Sequence, residues 1–78
     1  MGIGSRTYSI LLSPDEVSGY SVTVPALPGC ITQGDTVEEC LTNAREAISV
    51  YVEELAASGD PVPEEITPPQ LLRVTVNL

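Results

Sequence analysis

The sequence predicts an α+β domain with element order βββαβ: two layers, a mixed four-stranded sheet with one helix packed on one face. Three observations predict it. Runs at 6–13 and 20–24 alternate apolar with polar residues on either side of a turn that contains Pro14, Asp15 and Gly19. Residues 36–57 carry apolar side chains at steps of three and four. Residues 71–78 alternate once more. A helix with one apolar stripe needs an apolar surface to cover, and half-buried strands supply one.

Residues 1–5 read as a frayed start. In 6–13, Tyr8, Ile10 and Leu12 share a face opposite Thr7 and Ser9, and Leu11 breaks the alternation. That irregularity suits a strand with neighbours on both sides. Residues 13–19 form a polar turn, and Tyr20, Val22 and Val24 then alternate with Ser21 and Thr23, so the two runs are expected to pair as an antiparallel hairpin. Pro25 and Pro28 stop the second strand, and Gly29 after Pro28 suits a type II turn. Residues 30–33 make a short third strand, released at Gly34.

The helix starts at a capping-box pattern, Thr36 with Glu39, Asp35 being the competing cap. Its stripe is Val37, Cys40, Leu41, Ala44, Ile48, Tyr51, Val52 and Leu55; Glu38, Glu39, Glu46, Glu53 and Glu54 lie on the wet side. Gly59 is placed to cap the end. Residues 60–70 carry Pro61, Pro63, Pro68 and Pro69 and read as an extended tether. In the last strand Leu72, Val74, Val76 and Leu78 face one way, Arg73, Thr75 and Asn77 the other. The helix and tether permit a crossover that lays this strand parallel to the first, making the first strand central.

The 78 residues suffice for one domain, 1–78. All three aromatic residues are tyrosine, so the core is aliphatic and thin. A small domain of this kind gains from burying more apolar area between subunits, and a homodimer or higher oligomer is expected. Eleven Asp and Glu against three Arg, with no Lys or His, give a formal charge of −8. Such a surface repels phosphate backbones and attracts basic partners, which argues against direct nucleic-acid binding. No signal peptide, membrane span or myristoylation signal is apparent, Arg6 standing where the last would need Ser or Thr; a cytoplasmic location with free thiols is expected.

Catalysis finds no support. Glu39, Glu46 and Glu53 recur on one helical face, but it is the solvated one, where a raised carboxyl pKa is not expected. Cys30 and Cys40 without histidine do not make a zinc site, and no cofactor is implied. Cys40 belongs to the apolar stripe; Cys30 sits at the Pro-Gly corner, expected to be partly exposed, with no basic neighbour to activate it. No His or Lys is present to activate a serine or threonine. What remains is surface: the corner around Tyr20, Leu27, Pro28 and Cys30 presenting apolar groups, with the helix carboxylates Glu39 and Glu46 as candidate partner contacts.

The run Gly19-Tyr20-Ser21-Val22-Thr23-Val24-Pro25-Ala26-Leu27-Pro28-Gly29-Cys30, then Gln33-Gly34-Asp35-Thr36, Glu38-Glu39 and Asn43-Ala44-Arg45-Glu46-Ala47-Ile48, resembles HicB-like antitoxins. Gly59-Asp60-Pro61-Val62-Pro63-Glu64 resembles their post-helix tether. The resemblance implies a degenerate, truncated RNase H-like fold without nuclease function, and neither 8–13 nor 71–78 holds the carboxylates that a metal-dependent nuclease of that fold needs. It also implies a partner: a small basic toxin, HicA, which resembles a double-stranded RNA-binding domain, cleaves mRNA and is inhibited when its RNA surface and catalytic histidine are blocked. Many members add a DNA-binding domain after this one. The sequence stops at Leu78, so a single-domain member that contacts protein and not DNA is expected. The competing readings are a solitary oligomeric module binding another protein or a small ligand, and a residual metal-dependent nuclease.

Overall fold

A computed structural model describes residues 4–78. The chain forms β1 (Leu11–Pro14), β2 (Tyr20–Thr23), β3 (Ile31–Gly34) and α1 (Val37–Ala57). The strands make an antiparallel sheet in the order β1-β2-β3, so β2 is central. Leu12 pairs with Val22, which pairs with Thr32; Leu11 pairs with Thr23, which pairs with Ile31.

The turn bonds set the phase of both ladders. The Asp15 N–H donates to the Gly19 carbonyl at 3.0 Å, and the Val24 N–H to the Cys30 carbonyl at 3.2 Å. Narrow and wide pairs alternate in an antiparallel ladder. Leu11 and Ser13 therefore bond to β2, and the backbone groups of Leu12 point away from it, toward the open edge. Ile31 and Gln33 likewise direct theirs to the open edge of β3. The Leu12–Val22–Thr32 row faces α1; the Leu11–Thr23–Ile31 and Ser13–Ser21–Gln33 rows lie on the uncovered face.

The core lies between sheet and helix in two adjoining clusters: Val22, Cys40 and Ala44, and Val24, Leu27 and Cys30. Ile10 packs against both. Gly34 lets α1 approach β3: a Cβ there would stand 2.7 Å from the Cys40 nitrogen and 2.9 Å from its Sγ.

The helix begins as its sequence dictates. Thr36 wins the cap, its Oγ1 accepting from the Glu39 N–H at 3.1 Å, while the Glu39 Oε1 reaches back to the Asp35 N–H at 3.2 Å. At the other end Gly59 takes φ +75, and bonds from the Gly59 N–H to the Ala56 carbonyl and from the Asp60 N–H to the Leu55 carbonyl close a Schellman turn. The stripe is only partly covered: Val37 and Leu41 stay about half exposed, at 53% and 48%.

The fourth strand is the main departure. Among the described residues the sheet has three strands, and 71–78 is extended, exposed and outside any ladder. The sheet is therefore purely antiparallel, β1 is an edge and not the centre, and the strand expected beside β1, on which the RNase H-like reading depended, is not formed among the described residues. The tether explains why. It is pinned to residues 6–9: the Tyr8 hydroxyl donates to the Pro63 carbonyl, the Ser9 N–H and hydroxyl donate to the Glu65 carboxylate, and Arg6 pairs with Glu64 at 3.1 Å. A bend at residues 66–67 precedes Pro68 and Pro69, whose fixed φ holds the chain out and away from the body. The result is a molecule of 53 × 26 × 18 Å with a radius of gyration of 14.7 Å, against about 11–12 Å for a compact chain of this length.

The first strand is also shorter than its alternation predicts. Residues 6–10 find no strand partner among the described residues because β2 stops at Thr23 and the chain turns into the corner at Pro25. The expected fraying over 1–5 lies, for residues 1–3, outside the described residues.

Candidate functional site

The corner after β2 is a pair of tight turns. The Leu27 N–H donates to the Val24 carbonyl at 2.9 Å, and the Cys30 N–H to the Leu27 carbonyl at 3.0 Å. Gly29 sits at φ +83, the conformation that the third position of a type II turn demands. These bonds fold Leu27 and Cys30 inward, to 0% and 5% exposure. The two candidates thus build the corner from inside, and Pro28 and Gly29 form its outer surface. Cys30 is not the partly exposed thiol its position suggested. Burial pushes its pKa above the ordinary 9.0, away from reactivity. Cys40 is buried as well, its thiol 3.7 Å from the Gly34 carbonyl, and both thiols are free.

From this corner a groove runs between the open edge of β3 and the neighbouring side of α1. Gly29, Cys30, Ile31 and Thr32 form one wall, and Asn43, Glu46, Ala47, Val50, Tyr51 and Glu54 the other. Its volume is about 460 Å³. Ile31 and Val50 bring exposed apolar surface, 66% and 55% accessible, and Glu46 and Glu54 bring carboxylates two helical turns apart. Among the described residues no basic side chain lines it. The Tyr51 hydroxyl donates to the Pro28 carbonyl at 2.8 Å and closes the corner end. The Asn43 Nδ2 donates to the Gln33 carbonyl at 2.7 Å, occupying part of the β3 edge.

Tyr20 and Glu39 lie in a second depression, with Asp15, Asp35, Gln33 and Asn43. Asn43 borders both, so the two join into one acidic surface along β3. Of the candidates, Cys30 and Glu46 meet in the groove with Pro28 at its end, Tyr20 and Glu39 meet next door, and Leu27 lies beneath. Ile31, Asn43, Val50 and Glu54 were not singled out from the sequence. Val50 carried a signal, since it is an apolar residue off the helix stripe; Asn43 carried only its place in the run that bears the resemblance.

The other side of α1 differs in charge. Between the helix and residues 6–10, the segment leading into β1, Tyr8, Ile10, Leu41, Ala44 and Ile48 form an apolar trough flanked by Arg6 and Arg45. Among the described residues, no group of three or more His, Cys, Asp or Glu is placed to hold a metal ion. No helix of the described residues is long and apolar enough to cross a membrane.

A family model described as the HicB-like antitoxin of bacterial toxin–antitoxin systems matches residues 8–74, from the first strand through the corner, helix and tether. The chain belongs to the HicB-like antitoxin family. The strand–corner–helix run that carried the resemblance lies wholly inside the match. Among relatives of this HicB-like chain, a UPF0150 protein of Thermoplasma acidophilum is 47% identical over 64 residues, 77% of this chain and 93% of the relative. A UPF0150 protein of Synechocystis is 47% identical over 58 residues, 74% of this chain and 73% of the relative. A protein named antitoxin HicB 1, of Photorhabdus laumondii, is 36% identical over 61 residues, 78% of this chain but 39% of the relative's length.

Proposed function

We propose that this HicB-like domain, spanning 1–78, is a non-catalytic antitoxin that binds and neutralises a small basic mRNA-cleaving toxin of the HicA kind by protein–protein contact. The groove along β3 carries the proposal. It sets two carboxylates, Glu46 and Glu54, around exposed Ile31 and Val50 beside a corner that its own hydrogen bonds make rigid. A basic partner gains charge attraction at the rim and apolar burial in the middle, the composition of a protein-binding patch. The net charge of −8 steers such a partner in and repels RNA, so the domain competes for the toxin without holding nucleic acid itself. The chain acts in the cytoplasm, where its toxin and the toxin's mRNA are found, and it self-associates as a dimer or larger assembly.

The test is capture and inhibition. Any short basic protein found encoded beside this chain, purified separately, should bind it and lose RNA cleavage. Glu46→Lys with Glu54→Lys should abolish both, and Glu53→Lys, outside the groove, should preserve both. Unchanged inhibition by the double variant would remove the groove from the mechanism. Failure of any basic neighbour to bind the unaltered chain would leave the solitary oligomeric module as the function.

A further inference from the structure

We propose that 71–78 of one chain is a strand donated to a second copy, where it pairs along the open edge of β1 and lies in the apolar trough beside α1. The inference rests on the self-association proposed above and specifies its interface.

Each copy carries an unfilled place and a segment shaped to fill it. The place is the outer edge of β1. Leu12 directs its backbone donor and acceptor outward there, and Pro14, at the next outward position and without an N–H, ends the pairing. Continuous with that edge, where residues 6–10 lead into β1, Ile10, Leu41 and Ile48 line a trough that nothing among the described residues covers, and Leu41 is 48% exposed although it lies on the apolar stripe. The segment is strand-patterned yet unpaired, with Leu72, Val74, Val76 and Leu78 on one side, Val74 being 84% exposed. Laid against β1, those four side chains enter the trough. Arg73, Thr75 and Asn77 then fall on the uncovered sheet face, where Ser13, Ser21 and Gln33 already lie. The amphipathic sense of the arm matches that of the sheet it would extend.

A second copy is the occupant for two reasons. The tether bonds at Tyr8, Ser9 and Arg6, with Pro68 and Pro69 after the bend, carry the arm away from its own β1. Each chain offers one arm and one apolar trough, so a two-fold pairing fills both troughs. The charges agree. The arm holds Arg73 and no acidic side chain, opposite in sign to the chain's net charge of −8, and in this pairing Arg73 falls on the uncovered sheet face, whereas Arg6 and Arg45 flank the trough. The other open edge is less suited, because Asn43 occupies the Gln33 carbonyl and the groove there is acidic and partly polar. The exchange supplies the fourth strand that the isolated chain lacks and leaves the β3 groove free.

The test is the mass of the full chain by light scattering across a dilution series. The unaltered chain should be a dimer. Val74→Asp with Val76→Asp should give monomers, as should Leu41→Glu, which alters only the trough; Thr75→Glu, on the polar side of the arm, should remain dimeric. Circular dichroism should show the same helix content in all, since these residues are exposed. An unaltered chain that is monomeric throughout overturns self-association and interface together. A dimer that withstands the Val74 and Val76 substitutions overturns the interface alone. A dimer broken by them but not by Leu41→Glu overturns the β1 trough as the docking place.

Discussion

The Tyr51 hydroxyl on α1 and the Pro28 carbonyl on the corner are joined by a 2.8 Å hydrogen bond. They stand 23 residues apart in sequence, and the bond ties the α1 wall of the acidic groove to the corner at its end. Tyr51→Phe keeps the ring, which packs against Val24, Leu27 and Cys30, and removes only the donor. The expected loss of stability is about 0.5–1.5 kcal/mol, read from the urea midpoint. Affinity for the basic partner should fall further than stability does, because the corner loses its fixed position.

Gly34 faces the start of α1 so closely that a Cβ would meet the Cys40 backbone at 2.7 Å. Backbone cannot yield as a flexible side-chain tip can. Gly34→Ala should therefore force α1 away from β3 and cost about 1–3 kcal/mol, measured as a lowered thermal midpoint. Gly29→Ala meets nothing within 4 Å and is penalised only by its φ of +83, so it should be the milder change.

Cys30 gives stability a pH dependence with a definite sign. Burial raises its pKa in the folded chain above the ordinary 9.0, so the folded state holds the proton more tightly than the unfolded one. The contribution is fully present below the unfolded value and is lost as pH rises through it toward the folded value. The urea midpoint should decline more steeply above about pH 9 for the natural chain than for Cys30→Ala. Thiol labelling of the native protein near neutral pH should be at least about tenfold slower than labelling of the unfolded chain.

Salt should separate the two proposed interfaces. Binding of a basic partner to the rim formed by Glu46 and Glu54 is screened as ionic strength rises, and its association rate should fall markedly between low and physiological salt. The arm interface is built on Leu72, Val74, Val76 and Leu78, so the dimer should persist or tighten over the same range. Stopped-flow association and light scattering read the two independently.

The sequence by itself determined what depends on near neighbours. Alternation and the Asp15–Gly19 turn set the hairpin, Thr36 and Glu39 the helix start, Gly59 its end and Gly29 the turn at the corner, because each answers to backbone stereochemistry within a few residues. The run through the corner and helix also carried the family. Tertiary structure decided the rest, since burial depends on what comes to lie alongside. It turned Leu27 and Cys30 inward, brought Glu46, Val50 and Glu54 together with Ile31 across the chain, and left 71–78 without a place in its own sheet. The alternation of Leu72, Val74 and Val76 is the pattern of a half-buried strand, but alternation alone does not supply a partner edge. The pinned tether and Pro68 and Pro69 direct where that segment can reach, and they hold it outside its own sheet.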